Sequence, residues 1–167
     1  MKKLCISLFA ITLFTILVYA SYPQVYFSPK GGCTQAIIDT LNKAKKDVYV
    51  QAYSFTSEPI AQALISAKKR GVNVVIILDK SQLKAVKSKL KEVDKTIETY
   101  IDKKHAIAHN KIMIIDSEFV LNGSFNYTDN AEVNNAENLL ITDDKALATE
   151  YMANWVLHCS HSVRYAN

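Results

Sequence analysis

Residues 48–78 read VYVQAYSF-TSEPIAQALISAKKRG-VNVVIIL, and this stretch decides the fold class. Val48 to Phe55 is rich in β-branched and aromatic residues and suits an inner strand. Ser57-Glu58-Pro59 opens a helix with a capping residue and a first-turn proline; Ile60, Ala63, Leu64 and Ala67 recur on one face until Gly71 stops it. Val72 to Leu78 is an almost unbroken Val/Ile run, the pattern of a strand covered on both faces.

On the amino-terminal side, Val25 to Phe27 reads as a short strand. After the loop Pro29-Lys30-Gly31-Gly32, Ala36, Ile37, Leu41 and Ala44 recur at helical spacing. The order strand, helix, strand, helix, strand predicts an α/β domain with a mixed, largely parallel β-sheet flanked by helices. A chain of 167 residues, 49% hydrophobic and 22% charged, supports one packed core. Four glycines and three prolines exclude a collagenous or low-complexity chain.

Residues 1–20 stand apart. A basic start (Lys2, Lys3), the uncharged run Leu4 to Val18 and the small residue Ala20 predict an export signal or an uncleaved amino-terminal membrane anchor, followed by one domain over 21–167. Either reading places the domain outside the inner membrane: periplasmic, tethered to that membrane's outer side, or secreted. In an oxidising compartment Cys33 and Cys159 become a candidate disulfide, with two separate buried thiols as the alternative.

The formal charge is +4, and its source is local. Between Lys80 and Lys104 stand eight lysines against four acids. Lys84, Lys87 and Lys91 form a candidate phosphate-backbone patch. The competing reading is the solvated face of a helix on which Leu83, Val86 and Leu90 point inward.

His109-Asn110-Lys111 leads into the apolar run Ile112 to Ile115. Asp116-Ser117 then turn the chain, and Phe119 to Leu121 return towards Gly123-Ser124-Phe125-Asn126. Residues two apart on a strand share a face, so His109 and Lys111 can address one substrate. The hairpin brings Ser124 and Asn126 back to their level. An imidazole, an ammonium, a hydroxyl and a carboxamide at one locus provide a nucleophile and donors for phosphoryl oxygens. No H-E-x-x-H, paired C-x-x-C or acidic two-metal pattern accompanies them, so neither metal nor cofactor is expected in the reaction.

The spacing H-x-K-x4-D-x6-G-S-x-N resembles the signature of the phospholipase D superfamily. Phe27-Ser28-Pro29, Gln51 to Thr56, and Arg70-Gly71-Val72 leading to Leu78-Asp79 look like its small Nuc-type bacterial endonucleases. The resemblance implies a phospholipase D-like sandwich in which His109 forms a phosphohistidine, Lys111 and Asn126 hold the nonbridging oxygens, and Ser124 adds a hydrogen bond. Glu137, at the entrance of the strand Leu139 to Ile141, takes the family's place for a carboxylate that orients the histidine, with Glu132 as its competitor. Asp116, although within the motif, sits in the turn and is expected to support rather than to react.

One motif supplies one histidine, whereas hydrolysis also needs an acid for the leaving oxygen. The resemblance implies a homodimer with two copies of His109 in a shared site. His105 is expected to point elsewhere, and His158 and His161 on the final helix to face solvent. The expected activity is nonspecific cleavage of DNA, with RNA as a second nucleic-acid substrate. The alternatives are release of phospholipid head groups and a nucleic-acid-binding or uptake module.

Overall fold

The computed structural model describes residues 23–166. The expected signal or anchor over 1–20 lies outside them. Among the described residues no helix is long and apolar enough to cross a membrane.

Strands β1 (Gln24–Ser28), β2 (Asp47–Ala52), β3 (Asn73–Asp79), β4 (Glu98–Asp102), β5 (Lys111–Ile115), β6 (Phe119–Gly123), β7 (Glu137–Thr142) and β8 (Val163–Arg164) form one sheet in the order β1-β7-β6-β5-β2-β3-β4-β8. Helices α1 (Cys33–Lys43) and α2 (Glu58–Lys69) pack on one face together with the short α3 (Leu90–Val93) and α4 (Asp129–Val133). The long α5 (Lys145–His161) covers the other. β3 is buried from Val74 to Asp79 because both layers close over it.

Helices form where the sequence supplies a buried stripe and a start signal. α2 follows Ser57, carries Pro59 in its first turn and buries Ile60, Ala61, Ala63, Leu64 and Ala67. Asp144 caps α5 by accepting from the amides of Ala146 and Leu147. Trp155 anchors α5 to the sheet: its side chain is buried, and its indole N–H donates to the Val50 carbonyl at 3.0 Å.

Three expectations are corrected. The sheet is mixed but not largely parallel: β2 pairs with β3 and β3 with β4 in parallel, whereas the other five pairings are antiparallel. The parallel pairs follow the crossovers through α2 and α3, whereas β5, β6 and β7 pair antiparallel in succession and α5 carries the chain from β7 back to β8 at the opposite edge. The lysine stretch is not one amphipathic helix either. It is a 3-10 turn (Lys80–Leu83), a loop and the single turn of α3, with Val86 fully exposed. Of the three residues expected to point inward only Leu90 is buried, and the fold also buries Gln82, whose side-chain oxygen accepts from the Phe55 amide at 3.2 Å.

The third correction concerns the cysteines. Cys33 begins α1 in the core on one face of the sheet, and Cys159 packs against the core on the other, so the sheet separates two free thiols. Burial, reinforced by the charge of Glu132, pushes the Cys33 thiol up to about 11.

Candidate active site

The site is assembled at one end of the central strands. Ala52 on β2 is in register with Lys111 on β5, and the Tyr53 amide donates to the Asn110 carbonyl at 2.9 Å. The segment 103–110 reaches this edge under restraint. Asp79, at the end of β3, accepts the Ala108 amide at 2.8 Å and the Ser81 amide at 2.8 Å. Lys80 Nζ donates to the His105 carbonyl at 2.8 Å. The residue immediately before His109 is therefore held by a buried carboxylate.

His109 is exposed while Lys111 is only 7% exposed. Lys111 Nζ donates to the His109 carbonyl at 2.7 Å and lies 3.0 Å from His109 Nδ1. The Tyr53 ring stacks at an angle on the imidazole, 4.6 Å between centroids, and the ammonium sits 5.3 Å from the centre of the same ring. Burial lowers the Lys111 pKa, and the negative charge of Glu137 opposes that shift.

The return strand brings the second half of the motif back. Gly123 has φ +147, and a Cβ there would lie 2.2 Å from the Asn138 carbonyl, so only glycine lets β6 close against β7. That carbonyl accepts the amides of Ser124 and Phe125 at 3.1 and 3.2 Å. Ser124 Oγ in turn accepts from the Asn138 amide at 3.1 Å. The side-chain oxygen of Asn126 is buried without a hydrogen-bond partner, an arrangement that costs about 1–3 kcal/mol. His109, Lys111, Asn122 and Tyr151 line an open depression of about 380 Å³. A second groove of about 490 Å³ is bordered by Lys80, Lys84, Lys103 and by Tyr53, the ring that stacks on His109.

The remaining candidates divide. Asp116 lies at the far end of β5, about 20 Å of extended chain from His109. Its carboxylate accepts from the amides of Lys45, Lys46 and Asp47 at 2.7–3.2 Å, and with Ser117 it occupies the left-handed region (φ 55 and 54) that turns the hairpin. It is a structural residue, not part of the reacting group. Glu132 caps α1, accepting from the amides of Gly32 (3.0 Å) and Thr34 (2.7 Å), and is removed as competitor to Glu137. Glu137 accepts from the Asn135 side chain at 2.9 Å; its influence reaches the site through charge on Lys111, and no hydrogen bond joins it to His109 among the described residues.

Lys84 borders the groove beside Tyr53, whereas Lys87 and Lys91 lie farther along the same surface, around a shallow depression next to α3. Lys89 between them is spent on ion pairs with Glu58 and Glu92. His158 and His161, expected to face solvent, are turned inwards and only 15% and 16% exposed at their side chains. Tyr53 and Asp79 escaped sequence reading as site residues: one directly follows an apolar strand, and the other reaches the site through a backbone amide 29 residues away.

Residues 37–155 match the family model described as cardiolipin synthase, phospholipase D-like domain. The fold is similar to that of Nuc, a phospholipase D family member from Salmonella typhimurium, with a TM-score of 0.83 and 32% identity over 87% of this chain and 99% of that one. It is also similar to NucT from Helicobacter pylori, with a TM-score of 0.80 and 27% identity over 86% and 99% of the two chains. A protein named phospholipase D from Rickettsia conorii is 47% identical over 131 residues, which make up 78% of this chain and 66% of that relative.

Proposed function

This chain belongs to the phospholipase D superfamily, and on that premise we propose that it is an exported, metal-independent phosphodiesterase whose substrate is nucleic acid, DNA foremost. The observation that carries the reading is the adjacency of one exposed imidazole, one desolvated ammonium and a lysine-bordered groove that meets them at Tyr53. A phosphodiester backbone is a repeating anion, and it matches a groove that delivers charge to a nucleophile. The likeness to Nuc and NucT, over almost their whole length, supports the same substrate class.

In the proposed reaction His109 Nε2 attacks phosphorus, and an N–P bond forms as the P–O bond to the leaving oxygen breaks. That oxygen takes its proton from a second imidazole. The same imidazole then deprotonates water, which attacks phosphorus and releases His109. Lys111 and Asn126 hold the nonbridging oxygens. Since His105, His158 and His161 all turn towards Asp102, the second imidazole is a second copy of His109 across a two-fold axis.

A second reading has its own support, because the Rickettsia conorii relative is named phospholipase D. Supercoiled plasmid and phosphatidylcholine vesicles, each incubated with the purified chain in EDTA, separate the two. Nicking without head-group release supports the nuclease; the reverse result overturns it in favour of the lipase; binding of plasmid with neither reaction leaves a nucleic-acid-binding module.

A further inference from the structure

Asp102, the last residue of β4, has a fully buried side chain. One carboxylate oxygen, Oδ1, accepts the backbone amides of Lys104 at 3.0 Å and His105 at 3.3 Å, which fixes the plane of the group. The other oxygen, Oδ2, faces three imidazoles: His105 Nδ1 at 2.8 Å, His158 Nδ1 at 3.2 Å and His161 Nε2 at 3.5 Å. The rings are 4.8–5.3 Å apart between centroids. Two come from one face of the last turn of α5, three residues apart, and one comes from the segment that runs to His109.

A single carboxylate oxygen has two lone pairs and cannot hydrogen-bond well to three ring nitrogens. A divalent cation resolves this, since each neutral ring offers it a lone pair and the carboxylate a charge. The dimensions agree. Zinc bonds of 2.0–2.2 Å to nitrogen and oxygen imply a tetrahedron with edges of about 3.3 Å. The three oxygen–nitrogen distances of 2.8, 3.2 and 3.5 Å bracket that edge, and all four donor atoms lie within 4.8 Å of one another.

We propose that Asp102, His105, His158 and His161 form a zinc site that ties the carboxy-terminal turn of α5 to the segment carrying His109. Four protein ligands complete the coordination, which makes the site structural and leaves no open position for substrate. The amides on Oδ1 are the outer contacts that orient a ligating carboxylate. Bound metal fixes His105 at one end of the segment 103–110, while Asp79 fixes Ala108 at the other. The ion steadies His109 without touching the reacting phosphate, so chelation is expected to lower stability and to spare chemistry at temperatures where the metal-free chain stays folded.

The test uses the full, untagged chain stripped of metal. Titration with zinc is followed by calorimetry and thermal denaturation, and cobalt(II) serves as the spectroscopic probe. The expected results are one ion per chain, a rise in midpoint of at least about 4 °C, and the intense visible bands of tetrahedral cobalt. His158→Ala and His161→Gln should each abolish the bands and the rise in midpoint while retaining plasmid nicking. Because the cobalt spectrum of the wild-type chain needs no variant, a folding failure in either substitution leaves the question decidable. Absence of stoichiometric uptake, an octahedral cobalt spectrum, or zinc binding that survives both substitutions would overturn the proposal.

Discussion

Lys111 Nζ lies 3.0 Å from Nδ1 of His109, closer than a through-water contact and on the side of the ring opposite Nε2. An ammonium that donates to Nδ1 leaves the proton of the neutral ring on Nε2, whereas protonating a leaving oxygen takes the imidazolium, with a proton on each nitrogen. Attack requires the other tautomer, with the proton on Nδ1 and a free pair on Nε2. The contact of Lys111 with Nδ1 therefore bears directly on the tautomer of His109. Lys111→Met is expected to reduce nicking by at least about 100-fold with the fold intact by circular dichroism; retention within tenfold would remove Lys111 from the chemistry.

The same burial fixes a pH dependence. The folded-state pKa of Lys111 is lowered, by desolvation first and against the pull of Glu137. Between that lowered pKa and the ordinary value of 10.5, the unfolded chain holds a proton that the folded chain does not, so stability contributed by this group rises with pH. Denaturant midpoints measured from neutral to alkaline pH should therefore improve for wild type relative to Lys111→Met. A parallel course for the two proteins would show that Lys111 is solvated.

Asp116 provides the converse case, a motif residue without a chemical role. Asp116→Ala removes the acceptor for three consecutive amides and puts alanine, which tolerates the left-handed region less well than aspartate or asparagine, at φ 55. A loss of about 1–3 kcal/mol in unfolding free energy is expected, with kcat/KM within tenfold of wild type. Asp116→Asn, which tolerates the same backbone, should recover part of the stability. A thousandfold fall in kcat without destabilisation would contradict the assignment.

The sheet between Cys33 and Cys159 predicts that both thiols alkylate in denaturant without reductant, whereas native Cys33, held up near 11 and buried, stays unreactive. Mass spectrometry of the purified chain checks this directly; an intramolecular bridge would require a different packing of α5.

Neutralising Lys84, Lys87 and Lys91 together should flatten the salt dependence of DNA binding, by about one unit of slope for each phosphate that is no longer neutralised. Lys84 alone should account for most of the change, because it borders the groove beside Tyr53. An unaltered slope returns all three to ordinary solvated surface.

The helices α1 and α2, the buried strand β3, the contact of His109 with Lys111 and the hairpin of β5 and β6 were legible because each rests on local periodicity or on a turn of fixed length. What the sequence hid depends on distance along the chain. Antiparallel pairing of β2 with β5 reverses the direction that the first three strands suggest. Gln82 is buried because the Phe55 amide, 27 residues away, needs an acceptor. The grouping of His158 and His161 with Asp102 spans 56 and 59 residues, and no spacing rule reaches that far. Glu132 stood as the competitor of Glu137 until the amides at the start of α1 claimed it.

Mixing wild-type chains with an excess of His109→Ala chains, and measuring plasmid nicking per total chain, asks whether one active site is built from two copies of His109. A mixed dimer holds one imidazole, enough to attack or to protonate but not to do both, so activity should fall as the square of the wild-type fraction. A linear fall, with the chain monomeric by light scattering at the working concentration, would contradict the shared site and show that a single chain completes the reaction alone.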